Sequence, residues 1–290
     1  VKGDLDAAAG LEAVGLDLPD GLSVEWLGVS GFLLAFQGQA LIVDPYLSRV
    51  PLRALLMRRR ALPDPEMIAR YGSLPDGTQL AGVLVGHTHF DHAVDAPAIA
   101  AEHNVLAYGS ASLAHLMRLH GLGHLATEVE PGKRYELGPF TVTFTLSRHS
   151  KLLLGRKVPM DGELTCDHVG GLVPTAYRCG AVYGIRIEVA GTSFYHQGSA
   201  DLDDAELGSD PVDVFLAGVA GRSFTPDYWQ RILPKLDPAM IVPTHYDNFF
   251  TPLGQSRDLV RGVRLSDVPD EVGAVSRDAK VVGLRRVDHR

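Results

Sequence analysis

Apolar and polar positions fall in short bursts along the first part of the chain rather than in long helical stripes. Segments 22–29 (LSVEWLGV), 31–37 (GFLLAFQ) and 40–47 (ALIVDPYL) are rich in apolar and β-branched residues and are punctuated by Gly31 and Gly38. This pattern predicts three strands. Gly38-Gln39 suits a tight hairpin turn, and Pro45 stops the third ladder just after Asp44. Residues 50–71 read as one or two short helices interrupted by Pro63 and Pro65. The apolar run 81–86 (AGVLVG) predicts a buried strand, followed by helical spacing at 94–103 and 111–120 with a strand at 105–108 between them.

The second half repeats this order with different lengths. Strands are expected at 140–146, 181–189, 192–197, 212–217 and 239–243, and helices at 226–235 and near 255–262. Strands grouped in each half with helices outside predict an α/β fold in which two sheets pack face to face under outer helices. We read 1–290 as one domain of two similar halves, with 1–22 as an extension before the first strand. Region 150–180 has no clear period and several Gly and Pro residues, so it is a candidate lid or insertion.

A net charge of -8 argues against a nucleic-acid partner, because phosphate contacts need clustered Lys and Arg. No apolar run approaches bilayer-spanning length. The opening residues VKGDLDAAAG lack the layout of a signal peptide, so the cytoplasm is the expected compartment. Cys166 and Cys179 permit one bridge, with two reduced thiols as the plainer expectation.

The chemistry concentrates in His87-Thr88-His89-Phe90-Asp91-His92, four strong metal-ligand side chains in six residues. Twelve histidines make one H-x-H unremarkable by chance, but H-x-H-x-D-H directly after an apolar strand is not. Imidazole and carboxylate suit zinc, and also iron or manganese.

At this motif the sequence resembles the metallo-β-lactamase superfamily. The resemblance implies the αββα four-layer sandwich of that family. It carries over to His149 after the strand at 140–146, Asp201 in TSFYHQGSADL, His245 in MIVPTHYDNF and Asp44 in LIVDP. The implied centre holds two divalent metal ions, most simply zinc. His87, His89 and His149 would bind one and Asp91, His92 and His245 the other, with Asp201 bridging. A hydroxide held between the ions would attack an ester, lactone or phosphodiester, and Asp91 would help to orient it. The PTHYDNFFTP ending looks like the branch containing ascorbate-phosphate lactonase and N-acyl-phosphatidylethanolamine phospholipase D. An iron-dependent oxidoreductase and a non-catalytic metal-binding member are the alternatives on the same fold. Diiron relatives usually carry Glu where this chain has His89, and persulfide dioxygenases use one iron.

Each outlying residue also has a plainer reading. His149 alone reads as a surface histidine, Asp201 as a helix N-cap and His245 as a core histidine. Asp44 is either an acceptor for a ligand imidazole or a strand-ending turn residue. The other histidines, His196 in its strand among them, have no such support as ligands. For substrate contacts the candidates are Arg59 within the cluster Arg49 to Arg60, Arg156 in the presumed lid, and Tyr246 beside a ligand. The arginines could grip an anionic group or an anionic membrane surface, or form a solvated helix face. The expected substrate is a small or lipid-like molecule, with an anionic group as one option.

Overall fold

The computed structural model describes residues 2–152, 155–255 and 259–289. Its first sheet runs β1 (Ser23–Gly28), β2 (Gly31–Phe36), β3 (Gln39–Val43), β4 (Gln79–Leu84), β5 (Ala107–Gly109) and β6 (Ala126–Glu128) in spatial order. The second contains β7 (Arg134–Leu137), β8 (Phe140–Ser147), β9 (Val182–Val189), β10 (Thr192–Gln197), β11 (Val214–Gly218), β12 (Met240–Thr244) and β13 (Lys280–Val281), also laid down in chain order. Each sheet starts with antiparallel pairings and continues with parallel ones, the change falling at β3 and at β10. The two halves are therefore alike in topology.

Period-two alternation explains the layering. Phe32, Leu34, Leu41 and Val43 join Phe140, Val142, Phe144 and Ile185 in one core between the sheets. The intervening Leu33, Ile42 and Val83 turn the other way, against Ile99 of α5 (Ala96–His103) and Leu113 and Leu116 of α6 (Ala111–Leu119). On the far side α7 (Tyr228–Leu236) buries Ile232, Leu233 and Leu236. The layers are helix, sheet, sheet, helix.

Several elements differ from the expectation. α1 (Lys2–Glu12) is helical and buries Ala8 and Leu11, and β6, β7 and β13 are short strands with mostly polar or half-buried residues. The helix expected near 255–262 is absent from its described part: 259–262 is irregular, with an isolated bridge from Leu259 to Asp247, while 256–258 lie outside the described residues. Segment 150–180 is irregular in its described residues, and it is anchored by buried Leu164, Leu172, Tyr177 and Cys179. Both cysteines are free.

One buried charge cluster ties the sheets together. Arg49, after β3, pairs with Asp247, after β12, at 2.8 Å, and Arg286 reaches the same carboxylate oxygen at 3.1 Å. Arg49 is thus 1% exposed, not part of a surface arginine cluster. Gly28 makes room for it, with φ +91° and an added Cβ only 1.9 Å from Arg49 Nη2. Gly28→Ala is expected to push the guanidinium off Asp247 and to lower stability by about 3 kcal/mol. Urea unfolding checks this: a variant within experimental error of wild type would show that the cluster yields freely.

Candidate metal centre

The strand ends bring the site together. β3 and β4 run parallel, as do β8, β10 and β12 through their shared neighbours, so their C-terminal ends meet along one rim of the sandwich. Thr88 is pinned there, its N–H and hydroxyl both donating to Cys179 O. His89 precedes the single-turn α4 (Phe90–Ala93), which carries Asp91 and His92. His149 follows β8, and His245 follows β12 in the left-handed region at φ +59°.

The six residues converge. Ring centroids lie 3.9 Å apart for His87 and His92, 4.8 Å for His87 and His89, 4.7 Å for His89 and His149, and 5.5 Å for His92 and His245. Asp91 Oδ2 is 3.3 Å from His245 Nε2 and 3.8 Å from His92 Nε2.

Their outer hydrogen bonds fix which nitrogens face inward. His89 Nε2 donates to Pro159 O at 2.9 Å and His149 Nδ1 to Ser150 O at 2.7 Å. His92 Nδ1 donates to Asp44 Oδ2 at 2.8 Å. Carbonyl and carboxylate oxygens only accept, so His89 Nδ1, His149 Nε2 and His92 Nε2 keep free lone pairs. His87 Nε2 faces His89 Nδ1 at 3.1 Å.

Electrostatics agree with a ligand set. Burial, reinforced by neighbouring imidazoles, holds His87 well below the usual histidine range. Burial likewise pulls His89 down to about 4 and His149 down to about 3. These three rings are neutral near pH 7, as metal ligands must be. For Asp91, burial acts upward, but His92 and His245 outweigh it and hold the carboxyl below its ordinary range. For His92, burial acts downward, and the Asp44 and Asp91 carboxylates outweigh it and raise the pKa. Cys179 Sγ lies within 4.8 Å of donor atoms of His87 and His89. Burial pushes that thiol up to about 12, so it is neutral. Cys166, Asp167 and His168 also gather, but Asp167 and His168 are exposed.

Asp44 is the acceptor for the His92 imidazole. It sits at φ +43°, takes the Gly86 N–H on Oδ1 at 2.7 Å, and holds His92 and His196 on Oδ2, each at 2.8 Å. His196 carries a role not expected from the sequence; its signal was a histidine at a core-facing strand position, two residues after Phe194. Gly198 has no room for a side chain, since a Cβ would lie 2.8 Å from Asp44 Oδ2.

Asp201 stands apart from these six. Its Oδ1 pairs with Arg231 of α7 at 3.2 Å and caps its own Leu202 N–H, and the residue does not line the cleft. Ser199 lines it instead, accepting the Ser150 N–H at 3.0 Å. Tyr246 also lies away from the cleft. It packs on Trp26, centroids 4.9 Å apart, and with Leu5 and Ala8 lines a separate cavity of about 40 Å³. Arg59 and Arg156 are exposed and line no part of the cleft.

The cleft over the centre measures about 450 Å³. His89, Asp91, His149 and His245 are among its lining, and its walls include Leu55, Met160, Phe224, Phe249 and Phe250. Among the described residues Arg261 is its one lining arginine or lysine, and no periodicity in the sequence marks it. Beside Leu55, α2 (Leu52–Leu56) and the following residues expose Leu52, Leu56 and Met57 next to Arg53, Arg58, Arg59 and Arg60.

Residues 23–245 match the family model described as the beta-lactamase superfamily domain. The chain belongs to the metallo-β-lactamase superfamily. A curated superfamily relative, named as a UPF0173 metal-dependent hydrolase of Carboxydothermus hydrogenoformans, is 27% identical, covering 79% of this chain and 86% of its own. Among solved structures, the metallo-β-lactamase fold protein YhfI of Bacillus subtilis aligns with a TM-score of 0.53 at 16% identity, over 91% of this chain and 96% of its own. Igni18, a metallo hydrolase of Ignicoccus hospitalis, aligns at 0.51 and 18%, over 91% and 95%. At these identities the structural likenesses speak for the fold alone. Within the superfamily fold, no helix among the described residues is long and apolar enough to cross a membrane.

Proposed function

We propose that this chain is a metal-dependent hydrolase that cleaves an ester, lactone or phosphodiester in a small, largely apolar molecule. The observation that carries the reading is the pair of inward-facing triads, His87–His89–His149 and Asp91–His92–His245, in a cleft with apolar walls. The donors fit divalent metal: a cluster of imidazoles with one carboxylate suits zinc, with manganese or iron as substitutes. Metal bound there supplies Lewis-acid polarisation of the scissile carbonyl or phosphoryl group and activation of water.

The chain's own groups do the rest. Asp91 is the only carboxylate among the described residues that line the cleft, so it is placed to orient an attacking water and take up its proton. Aromatic and aliphatic walls hold the apolar part of the substrate and exclude bulk water. Arg261 stands where an anionic end of the substrate would be met. A volume of about 450 Å³ falls within the usual span of small-molecule sites.

The test is a panel of lactones, acyl esters and phosphodiesters of graded chain length, assayed with and without a chelator. Hydrolysis that is lost on chelation and restored by zinc or manganese is expected, with KM falling as the apolar portion lengthens. Oxygen consumption supported by iron alone, with no hydrolysis, would move the chain to the oxidoreductase class.

A further inference from the structure

We infer that the two metal positions are unequal, with tight binding at Asp91–His92–His245 and weak binding at His87–His89–His149, because no carboxylate among the described residues joins them. This rests on the metal-dependent reading above and concerns how its site is built. The loop after β10 reaches the cleft through Gly198 and Ser199 and brings no carboxylate there. There Gly198 is pressed against Asp44 and His92, and Ser199 lines the cleft. The Ser199 hydroxyl is held by Ser150, at 3.0 Å from its N–H and 3.2 Å from its Oγ. The only carboxylate nearby in that loop, Asp201, is tied to Arg231, and its backbone carbonyl accepts from Gln197 Nε2 at 2.7 Å. Turning the carboxylate inward would break its pair with Arg231 and its bond from the Leu202 N–H.

The remaining donors do not divide evenly. Asp91, His92 and His245 present ligand atoms all within 4.8 Å of one another, and the group includes an anionic oxygen. His92 is oriented by a buried carboxylate, which is itself fixed by the Gly86 N–H and by His196. Such outer carboxylates raise ligand basicity and hold the ring in place. The other triad is three neutral imidazoles, two of them oriented by the backbone carbonyls of Pro159 and Ser150. It has no anionic ligand to offset a dication.

The experiment is zinc loading of the apoprotein followed by desalting and elemental analysis, with calorimetric titration for the weaker event. About one zinc per chain is expected to survive desalting, and a second to bind about 10- to 100-fold more weakly, the range over which outer-shell support acts. Asp91→Asn should lose the retained ion. His149→Ala and Asp201→Ala should keep it, and Ser199→Asp should retain two. Circular dichroism and melting curves confirm that each variant is folded. Two zinc ions of equal affinity in the wild type would overturn the inference. So would loss of zinc from Asp201→Ala, or loss of the retained ion from His149→Ala or Cys179→Ser. These results leave the hydrolase reading standing, whereas a folded wild type that retains no metal and shows no metal-dependent hydrolysis overturns both.

Discussion

Asp44→Asn is expected to weaken zinc binding by about 10- to 100-fold and to lower stability by about 1–3 kcal/mol, without disturbing the backbone. Asparagine tolerates the left-handed region about as well as aspartate, so the φ of +43° is not the source of the loss. The source is hydrogen-bond polarity. In the wild type one carboxylate accepts from Gly86 N–H, His92 Nδ1 and His196 Nε2, all buried. If the asparagine amide nitrogen took the place of Oδ2, it would confront two N–H donors. His92 would then have to move its proton to Nε2, the atom that faces Asp91, and its lone pair for the metal would be gone. If the amide turned over, its nitrogen would face the Gly86 N–H instead. Either way a buried donor is left unmet. Competition with a chromophoric chelator measures the affinity and urea unfolding the stability. A folded Asp44→Asn protein with wild-type zinc affinity would mean that His92 needs no such support.

How much of this was legible in the chain depended on range. Strands such as β2 and β3 announce themselves because both of their faces are buried, one against the other sheet and one against helices, and their apolar runs are dense. β7 (RYEL) has half of its residues exposed, β6 (ATE) buries none fully, and β13 has two residues, so none carries a pattern to read. The convergence of the H-x-H-x-D-H side chains was legible because they are neighbours in sequence and need only a strand end and a turn of helix to meet. The approach of His149 and His245 to them was legible from their places after strands.

Ser199 and Asp201 show where such reading stops. They lie two residues apart in one irregular loop, where no periodicity says which side chain faces the cleft. The choice is made by Arg231, on a helix 30 residues further along, which engages the Asp201 carboxylate. Arg49 was misread for the same reason. It sits beside exposed arginines in sequence, and what buries it is an aspartate 198 residues away. Long-range charge pairing leaves no local signature.

Asp247→Ala is expected to cost about 3–5 kcal/mol, since it strands buried cations rather than merely removing a contact. The Arg49 side chain is 0% exposed, and its Nε and Nη1 have no hydrogen-bond partner among the described residues, so Asp247 is its principal counter-charge. Burial pushes the Asp247 carboxyl up, but Arg49 and Arg286 outweigh this and hold it below its ordinary range. A carboxyl depressed in the folded state adds stability above its unfolded pKa, and that increment is lost as pH falls through the folded value. The gap between wild type and variant should therefore narrow on acidification below about pH 4. Pairing Asp247→Leu with Arg49→Met should recover most of the loss, because an apolar pair of similar volume removes the unmet charge. The effect should also reach the metal centre. Asp247 accepts the Val29 N–H at 2.8 Å, while Val29 O accepts the His245 N–H at 2.8 Å, so one residue of the β1–β2 turn is gripped from both sides by the segment carrying His245. Releasing that grip frees His245, and zinc retention in Asp247→Ala should fall even at temperatures where the variant remains folded. Retention equal to wild type in the folded variant would show that His245 is placed by β12 alone.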